Sequence, residues 1–254
     1  MLAVLRLLLA GIYIVTMTLF AAVYCLFSPR NPKHVYFFCR WFHQLHKLLG
    51  VELIQRGLDK APVPRNSVYI SNHQSVYDFV TSPGMLRPRT VSLGKKELIW
   101  VPFFGFLYWI TGNILIDRQD KSKARDTIKQ VAEAIHQRNL SVWAYPEGTR
   151  SKGRGLLPFK TGAFRMAIEA GVPITPMVVS TTHKKFDLNR SNNGIVISEM
   201  LEPIEVSGYK LSDARVLADH CHALMQAKIA ELDAEVAELE QQKQTKPSSP
   251  QQSL

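Results

Sequence analysis

VYISNHQSVYDFV, residues 68–80, changes structural character twice within a short span. Val68, Tyr69 and Ile70 are β-branched or aromatic and read as a strand. Ser71 to Ser75 form a polar turn with capping residues, and Val76 to Val80 opens a helix. A strand that passes through a short turn into a helix is the building block of an α/β sheet, whose functional side chains collect at strand ends. His73 and Asp78 fall at this junction. Five residues along a continuous helix turn about 500°, which leaves two side chains about 140° apart. They can therefore meet only if His73 lies in the turn and Asp78 in the helix after it. In that arrangement the carboxylate accepts a hydrogen bond from Nδ1 and leaves Nε2 free to take a proton from a hydroxyl. The spacing alone arises by chance in roughly one shuffled chain in three or four, so an ordinary surface turn stays open as the alternative.

The same alternation continues on both sides. Short apolar runs at 51–55, 67–71, 90–93, 113–116, 141–145, 174–179 and 194–199 are candidate strands. Between them, SKARDTIKQVAEAIHQRN has an N-cap at Ser122 and repeats Ile128, Val131 and Ile135 at helical spacing, and TGAFRMAIEAG closes at Gly171 before Pro173. A long helix follows from Ser212, and its Leu217, Cys221, Leu224, Leu232, Val236 and Leu239 are better suited to packing on the parent domain than to a coiled coil. The fold class expected is α/β: a mixed, partly parallel sheet flanked by helices, with an N-terminal membrane-associated two-helix element. The organisation expected is an anchor helix in 1–32, an amphipathic interfacial helix in 33–50, the α/β domain in 51–240 and a disordered tail in 241–254.

The two-helix element rests on residues 7–27 and 35–50. No side chain from Leu7 to Phe27 is charged, and a helix of that length measures about 31 Å, close to a bilayer core of about 30 Å. Its apolar run exceeds the 7–15 residues usual in a cleaved signal peptide, and no small-x-small site follows. Spanning the bilayer and re-entering one leaflet are both open. Arg30, Lys33 and Arg40 after the segment place the remainder on the cytoplasmic side of a membrane, the inner membrane in a bacterium. In the second segment Phe38, Trp41, Phe42, Leu45, Leu48 and Leu49 share one helical face, opposite Arg40, His43, Gln44 and Lys47, with Gly50 as the stop. That face suits the membrane interface or the soluble core equally, and His43 and His46 read as solvated. The 254 residues carry 31 Lys and Arg against 21 Asp and Glu, a net charge of +10 that favours anionic partners. The three cysteines, Cys25, Cys39 and Cys221, have no metal or disulfide spacing and read as packing residues.

Further polar features lie downstream. In VWAYPEGTRSKGRGLLPFKTGAF, residues 142–164, Gly148 suits a positive φ beside a ligand and Arg150 offers a planar fork for phosphate. Lys160 precedes a helix whose first amides attract anions. Alone, this is as readily an exposed basic loop. Lys95-Lys96 in GKKELIWVPFFG and Asp117-Arg118 at the end of GNILIDR are, singly, ordinary strand ends. The chain lacks G-x-S-x-G, H-E-x-x-H and the P-loop pattern, which removes the usual support for serine hydrolase, zinc protease and nucleotide-hydrolase readings.

Taken together, NHQSVYD, GKKELIWVPFFG, GNILIDR, YPEGTRS with FKTGA, and VPITPMVV follow the order and spacing of the glycerolipid acyltransferases, which the chain resembles over about residues 68–180. Thr149 stands where the glycerol-3-phosphate branch tends to carry a second glycine, so the motif is similar to that of the lysophosphatidate branch. Leu115 departs mildly, at a position that is often aromatic. The resemblance implies transfer of a fatty acyl group from acyl-CoA or acyl-ACP to the 2-hydroxyl of lysophosphatidic acid at a phospholipid membrane, with no cofactor, no metal and no nucleic acid. Carried over by position, His73 would be the general base and Asp78 its orienter. Lys95, Arg118 and Arg150 would hold the acceptor phosphate, and Glu147, Gly148 and Thr149 would shape that pocket. Another lysophospholipid or glycerol 3-phosphate as acceptor stays open, as does a non-catalytic lipid-binding protein.

Overall fold

The computed structural model describes residues 1–60, 66–116 and 121–245, the side chains of 121–125 apart. Seven strands occupy the expected runs: β1 Glu52–Arg56, β2 Val68–Ser71, β3 Thr90–Lys95, β4 Ile114–Ile116, β5 Ser141–Ala144, β6 Ile174–Val179 and β7 Ile195–Met200. They form one sheet in the order β1-β7-β6-β2-β5-β3-β4. Every neighbouring pair is parallel except β6–β7. That exception follows from the connection, since 180–194 contains no helix to carry the chain back across the sheet. The expected mixed, partly parallel sheet is the sheet found.

The helices are α1 Leu2–Leu26, α2 Pro32–His43, α3 Leu45–Leu48, α4 Asp78–Thr81, α5 Phe104–Ile110, α6 Lys121–Gln137, α7 Gly162–Ala170 and α8 Ala214–Thr245. Strand side chains alternate between two faces. Val68, Ile70, Val142 and Ile174 pack on one side with Phe164, Ala167, Leu217 and Cys221 from α7 and α8. Tyr69, Trp143, Met177 and Met200 pack on the other with Met85 and Leu86. Helix α8 thus spends Leu217, Cys221, Met225, Leu232 and Val236 on its own domain. It also runs to Thr245, past the expected boundary at 240. Gln241, Gln242 and Lys243 are good helix formers, and Lys243 pairs with Glu52 at the start of β1. The part of the expected tail beyond Thr245 lies outside the described residues.

The second N-terminal helix begins earlier than the expected boundary. Asn31 accepts from the Lys33 amide at 3.0 Å and Pro32 takes the first helical position. It breaks at Gln44, so that Leu45 can bury beside β1 while α2 packs on β3 and α4, and Gly50 stops the chain with φ 67°. His43 and His46 are not solvated, as expected from their polar face, but partly buried. His43 Nδ1 lies 3.2 Å from the Val80 carbonyl, and His46 Nδ1 lies 3.0 Å from the carbonyl of His43. Burial pushes both imidazoles down, His46 to about 4 with help from neighbouring His43 and Lys47.

Because unfolded His46 binds a proton below its ordinary value of 6.5 and the folded ring resists until about 4, stability falls as pH drops through that window. After discounting for the ring's partial exposure, about 1–2 kcal/mol should be lost between pH 7 and pH 4. Denaturant unfolding of the wild type and His46→Gln at both pH values checks this: the substitution should shrink the difference by that amount.

Helix α1 touches the α/β domain at both ends and α2 in the middle. Ala3 N donates to Asn189 at 3.1 Å, and the buried Arg6 guanidinium donates to the carbonyls of Leu188, Arg190 and Ser191 at 3.0, 2.5 and 3.3 Å. Midway, Tyr13 donates to the Trp41 carbonyl at 2.8 Å. Near the far end Ala21 and Cys25 pack with Phe38, Leu107 and Ile110, and Arg30 N donates to Ile110 at 2.9 Å. The remaining face, including Val4, Leu8, Ile12, Leu19 and Val23, is exposed.

Candidate active site

The turn after β2 is tied down by side chains that replace missing ladder bonds. Buried Asn72 donates to the Val179 carbonyl at 2.8 Å and accepts from the Val179 amide at 2.9 Å. Gln74 donates to Ser180 at 2.9 Å and accepts from the Thr182 amide at 2.8 Å. The loop is therefore locked to the end of β6 before it reaches α4.

Asp78 is the first residue of α4 and is buried. Its Oδ2 accepts from His73 Nδ1 at 2.6 Å, from the Gln74 amide at 2.6 Å and from the Ser75 amide at 3.0 Å. A carboxylate oxygen only accepts, so the Nδ1 facing it carries the proton, and the neutral ring keeps its lone pair on Nε2. The His73 side chain keeps 24% of its surface exposed. One face of the ring lies flat on Tyr145 from the end of β5, with centroids 4.0 Å apart and planes 16° apart.

The loop after β5 is bonded directly to this turn. Glu147 is buried, its Oε1 accepting from the His73 amide at 2.5 Å and its Oε2 from the Leu157 amide at 3.0 Å. Ser151 N and Lys152 N donate back to the carbonyls of His73 and Gln74 at 2.8 and 3.1 Å. Burial pushes the Glu147 carboxyl up, and the two amides partly offset the shift. Both oxygens thus accept from backbone amides, which ties Glu147 to the His73 loop. Glu147→Gln would leave one amide opposite an NH₂ group, and we expect a loss of about 1–3 kcal/mol in unfolding free energy, read by denaturant titration.

Gly148 has φ 71°, and a Cβ there would lie 2.9 Å from Lys160 Cε and Nζ. The lysine is therefore drawn across the glycine, adding a cation that was read from the sequence only as a neighbour of α7. Thr149 is exposed and Arg150 partly exposed. Lys95 ends β3 in an exposed position. Arg118, two residues beyond β4, lies outside the described residues. Because β2, β5, β3 and β4 are adjacent and parallel, their C-terminal ends line one edge of the sheet, with Lys95 two strands from His73 at about 10 Å.

The acyltransferase family profile matches residues 52–180, which contain all of these positions. The 1-acyl-sn-glycerol-3-phosphate acyltransferase of Escherichia coli (strain K12) is 54% identical over 240 residues, covering 94% of this chain and 98% of that protein. The chain belongs to the acyltransferase family. The Homo sapiens 1-acyl-sn-glycerol-3-phosphate acyltransferase beta is 34% identical, covering 83% of this chain and 77% of that protein. The crystal structure of the 1-acyl-sn-glycerophosphate (LPA) acyltransferase from Thermotoga maritima matches with a TM-score of 0.73 at 22% identity, covering 92% and 96% of the two chains, and shares the fold.

In this acyltransferase the oxygen and nitrogen groups described above are better placed for chemistry than the thiols. Burial pushes Cys39 and Cys221 up to about 12, so neither is a thiolate at neutral pH. Sequence reasoning missed Tyr145 beneath His73 and the locks at Asn72 and Gln74. The pairing of Ile70 with Ala144 sets the two strand ends side by side, and no local pattern announces that register.

Proposed function

We propose that this chain transfers a fatty acyl group from an acyl thioester, acyl-CoA or acyl-ACP, to the sn-2 hydroxyl of lysophosphatidate, giving phosphatidate. The identity to 1-acyl-sn-glycerol-3-phosphate acyltransferases along nearly the whole chain carries this reading. The geometry at His73 suits the chemistry. Nε2 removes the proton of the acceptor hydroxyl as its oxygen attacks the thioester carbonyl. The C–S bond then breaks, and the leaving sulfur takes the proton back from the imidazolium. Asp78 orients the ring and favours its charged form, and general-base assistance of this kind contributes about 10²- to 10⁴-fold.

Lys95, Arg118 and Arg150 hold the acceptor phosphate, and Gly148 and Thr149 shape that pocket. Glu147 serves through the backbone of His73. Arg150→Ala should raise the acceptor KM about tenfold with little change in kcat if the guanidinium grips phosphate equally in ground and transition states. An unchanged KM removes Arg150 from that role.

Membrane association follows from α1. With both ends held against the domain and the middle against α2, the helix lies along them, exposing one apolar face to a single leaflet. The exposed aromatics Trp41, Trp100, Phe103, Phe106 and Trp109 extend that apolar surface, and the domain sits on the cytoplasmic face. The function is tested by offering purified protein acyl-CoA and acyl-ACP donors with lysophosphatidate, glycerol 3-phosphate and lysophosphatidylcholine. Preferred turnover of lysophosphatidate supports the proposal; a preference for either other acceptor overturns it.

A further inference from the structure

The 2.6 Å bond between Asp78 Oδ2 and His73 Nδ1 fixes one edge of the imidazole and leaves the tilt of its plane open. Such a tilt would carry Nε2 away from an acceptor hydroxyl without breaking the bond. Tyr145 removes that freedom. It stands one residue past the Ile70–Ala144 pairing, on the same side of the sheet as Trp143. Its ring meets the Trp143 indole with centroids 5.0 Å apart and planes at 55°, and packs against the cluster of Tyr69, Met85, Leu86, Met177 and Met200. The strand end that carries it is itself held. The Tyr145 carbonyl accepts from the Gly148 amide at 3.1 Å, and the Pro146 carbonyl accepts from the Lys160 amide at 2.8 Å. On this fixed ring the imidazole lies nearly parallel, 4.0 Å away with the planes 16° apart.

Proton transfer asks more of this contact than packing does. When Nε2 takes a proton the imidazole becomes a cation, and the face of a phenol ring is the negative part of its quadrupole. The attraction is therefore stronger for the charged ring than for the neutral one, which is the difference that lowers a barrier. Burial pushes the Tyr145 hydroxyl well above its ordinary value, and the nearby Asp78 carboxylate adds to the shift, so the phenol stays neutral at any working pH. A leucine would fill much of the same space beside Trp143 but has no π face. We propose that Tyr145 is a positioning residue for acyl transfer, its ring setting the plane of His73 and its face stabilising the imidazolium that forms when Nε2 takes the acceptor proton. The inference rests on the acyl-transfer reading above.

The test compares the full chain with its Tyr145→Leu and Tyr145→Phe variants by steady-state kinetics with palmitoyl-CoA and lysophosphatidate over about pH 5 to 9, with thermal melts to confirm folding. Leucine should lower kcat about 3- to 30-fold, the range of a partly to fully desolvated cation–π contact, with both KM values little changed. It should also move the acidic limb of kcat/KM, which reports deprotonation of free His73, to lower pH by about half to one pH unit, because an imidazolium that loses stabilisation gives up its proton more readily. Phenylalanine restores the face and should recover most of the rate and return the limb. The other titratable groups that face this pair are Asp78 from α4, Glu147 from the loop after β5, Cys39 from α2 and Tyr108 from α5, and both variants retain them. In a His73→Ala background leucine should cost nothing further. Wild-type kcat with leucine, a loss that leaves the acidic limb in place, a loss that phenylalanine repeats, or an equal loss in the His73→Ala background overturns the assignment. Absence of transfer by the wild type, or full turnover by His73→Ala, would instead sink the underlying reading.

Discussion

His73→Ala is expected to lower kcat for acyl transfer by about 10²- to 10⁴-fold while the protein stays folded. The fold should survive because the side chain is partly exposed and the loop is held through backbone groups that alanine retains: the amide to Glu147 and the carbonyl from Ser151. Asp78 would still accept the Gln74 and Ser75 amides, so its buried carboxylate does not become an orphan. The expected stability change is therefore small, within about 1.5 kcal/mol. Thermal melts separate this from unfolding, and added imidazole should restore part of the rate by entering the vacated space above Tyr145. Turnover near wild type in a variant that melts normally would remove His73 from the reaction.

The features legible in the sequence are those set by neighbours along the chain. Alternating apolar runs locate all seven strands, and the polar turn between Ile70 and Tyr77 is enough to require His73 in a loop and Asp78 at a helix start, where both are found. Features set by non-local pairing were not legible. Tyr145 reaches His73 only because β5 lies parallel beside β2, and Glu147 turns inward because the 72–75 loop presents an amide to it. In EGTR, a carboxylate beside a glycine and an arginine reads as pocket wall; its bond to the His73 amide becomes visible only with the partner loop in place. The N-terminal segment is a related case. Its composition makes residues 7–27 apolar enough for a membrane, whereas the contact of Arg6 with the carbonyls of 188, 190 and 191, far away in the chain, has no local signal. The break in the second helix at Gln44 likewise answers to β1 on one side and β3 on the other.

Asp78 supports two functions at once, and paired substitutions should separate them. Asp78→Asn retains an oxygen that can accept the Gln74 and Ser75 amides, so the α4 start should hold and the melting temperature should change by only a few degrees. The neutral amide no longer stabilises an imidazolium, although its oxygen, kept in place by the two loop amides, still accepts from Nδ1. A loss of about 10²- to 10⁴-fold in kcat follows, the range of general-base assistance that depends on a stabilised imidazolium. Asp78→Ala should lose activity equally and stability as well. It leaves two loop amides without their acceptor, at about 1–3 kcal/mol for each fully buried donor, and a total near 2–4 kcal/mol allows for partial solvation. For a chain of this size that lowers the melting temperature by roughly 5–12 °C. An asparagine variant that turns over near the wild-type rate would exclude the electrostatic role. An alanine variant that melts with the wild type would show that the three bonds to Oδ2 do not hold the turn. If instead asparagine is inactive but stable and alanine is inactive and unstable, one oxygen both builds the loop and sets the charge of the ring that the loop presents.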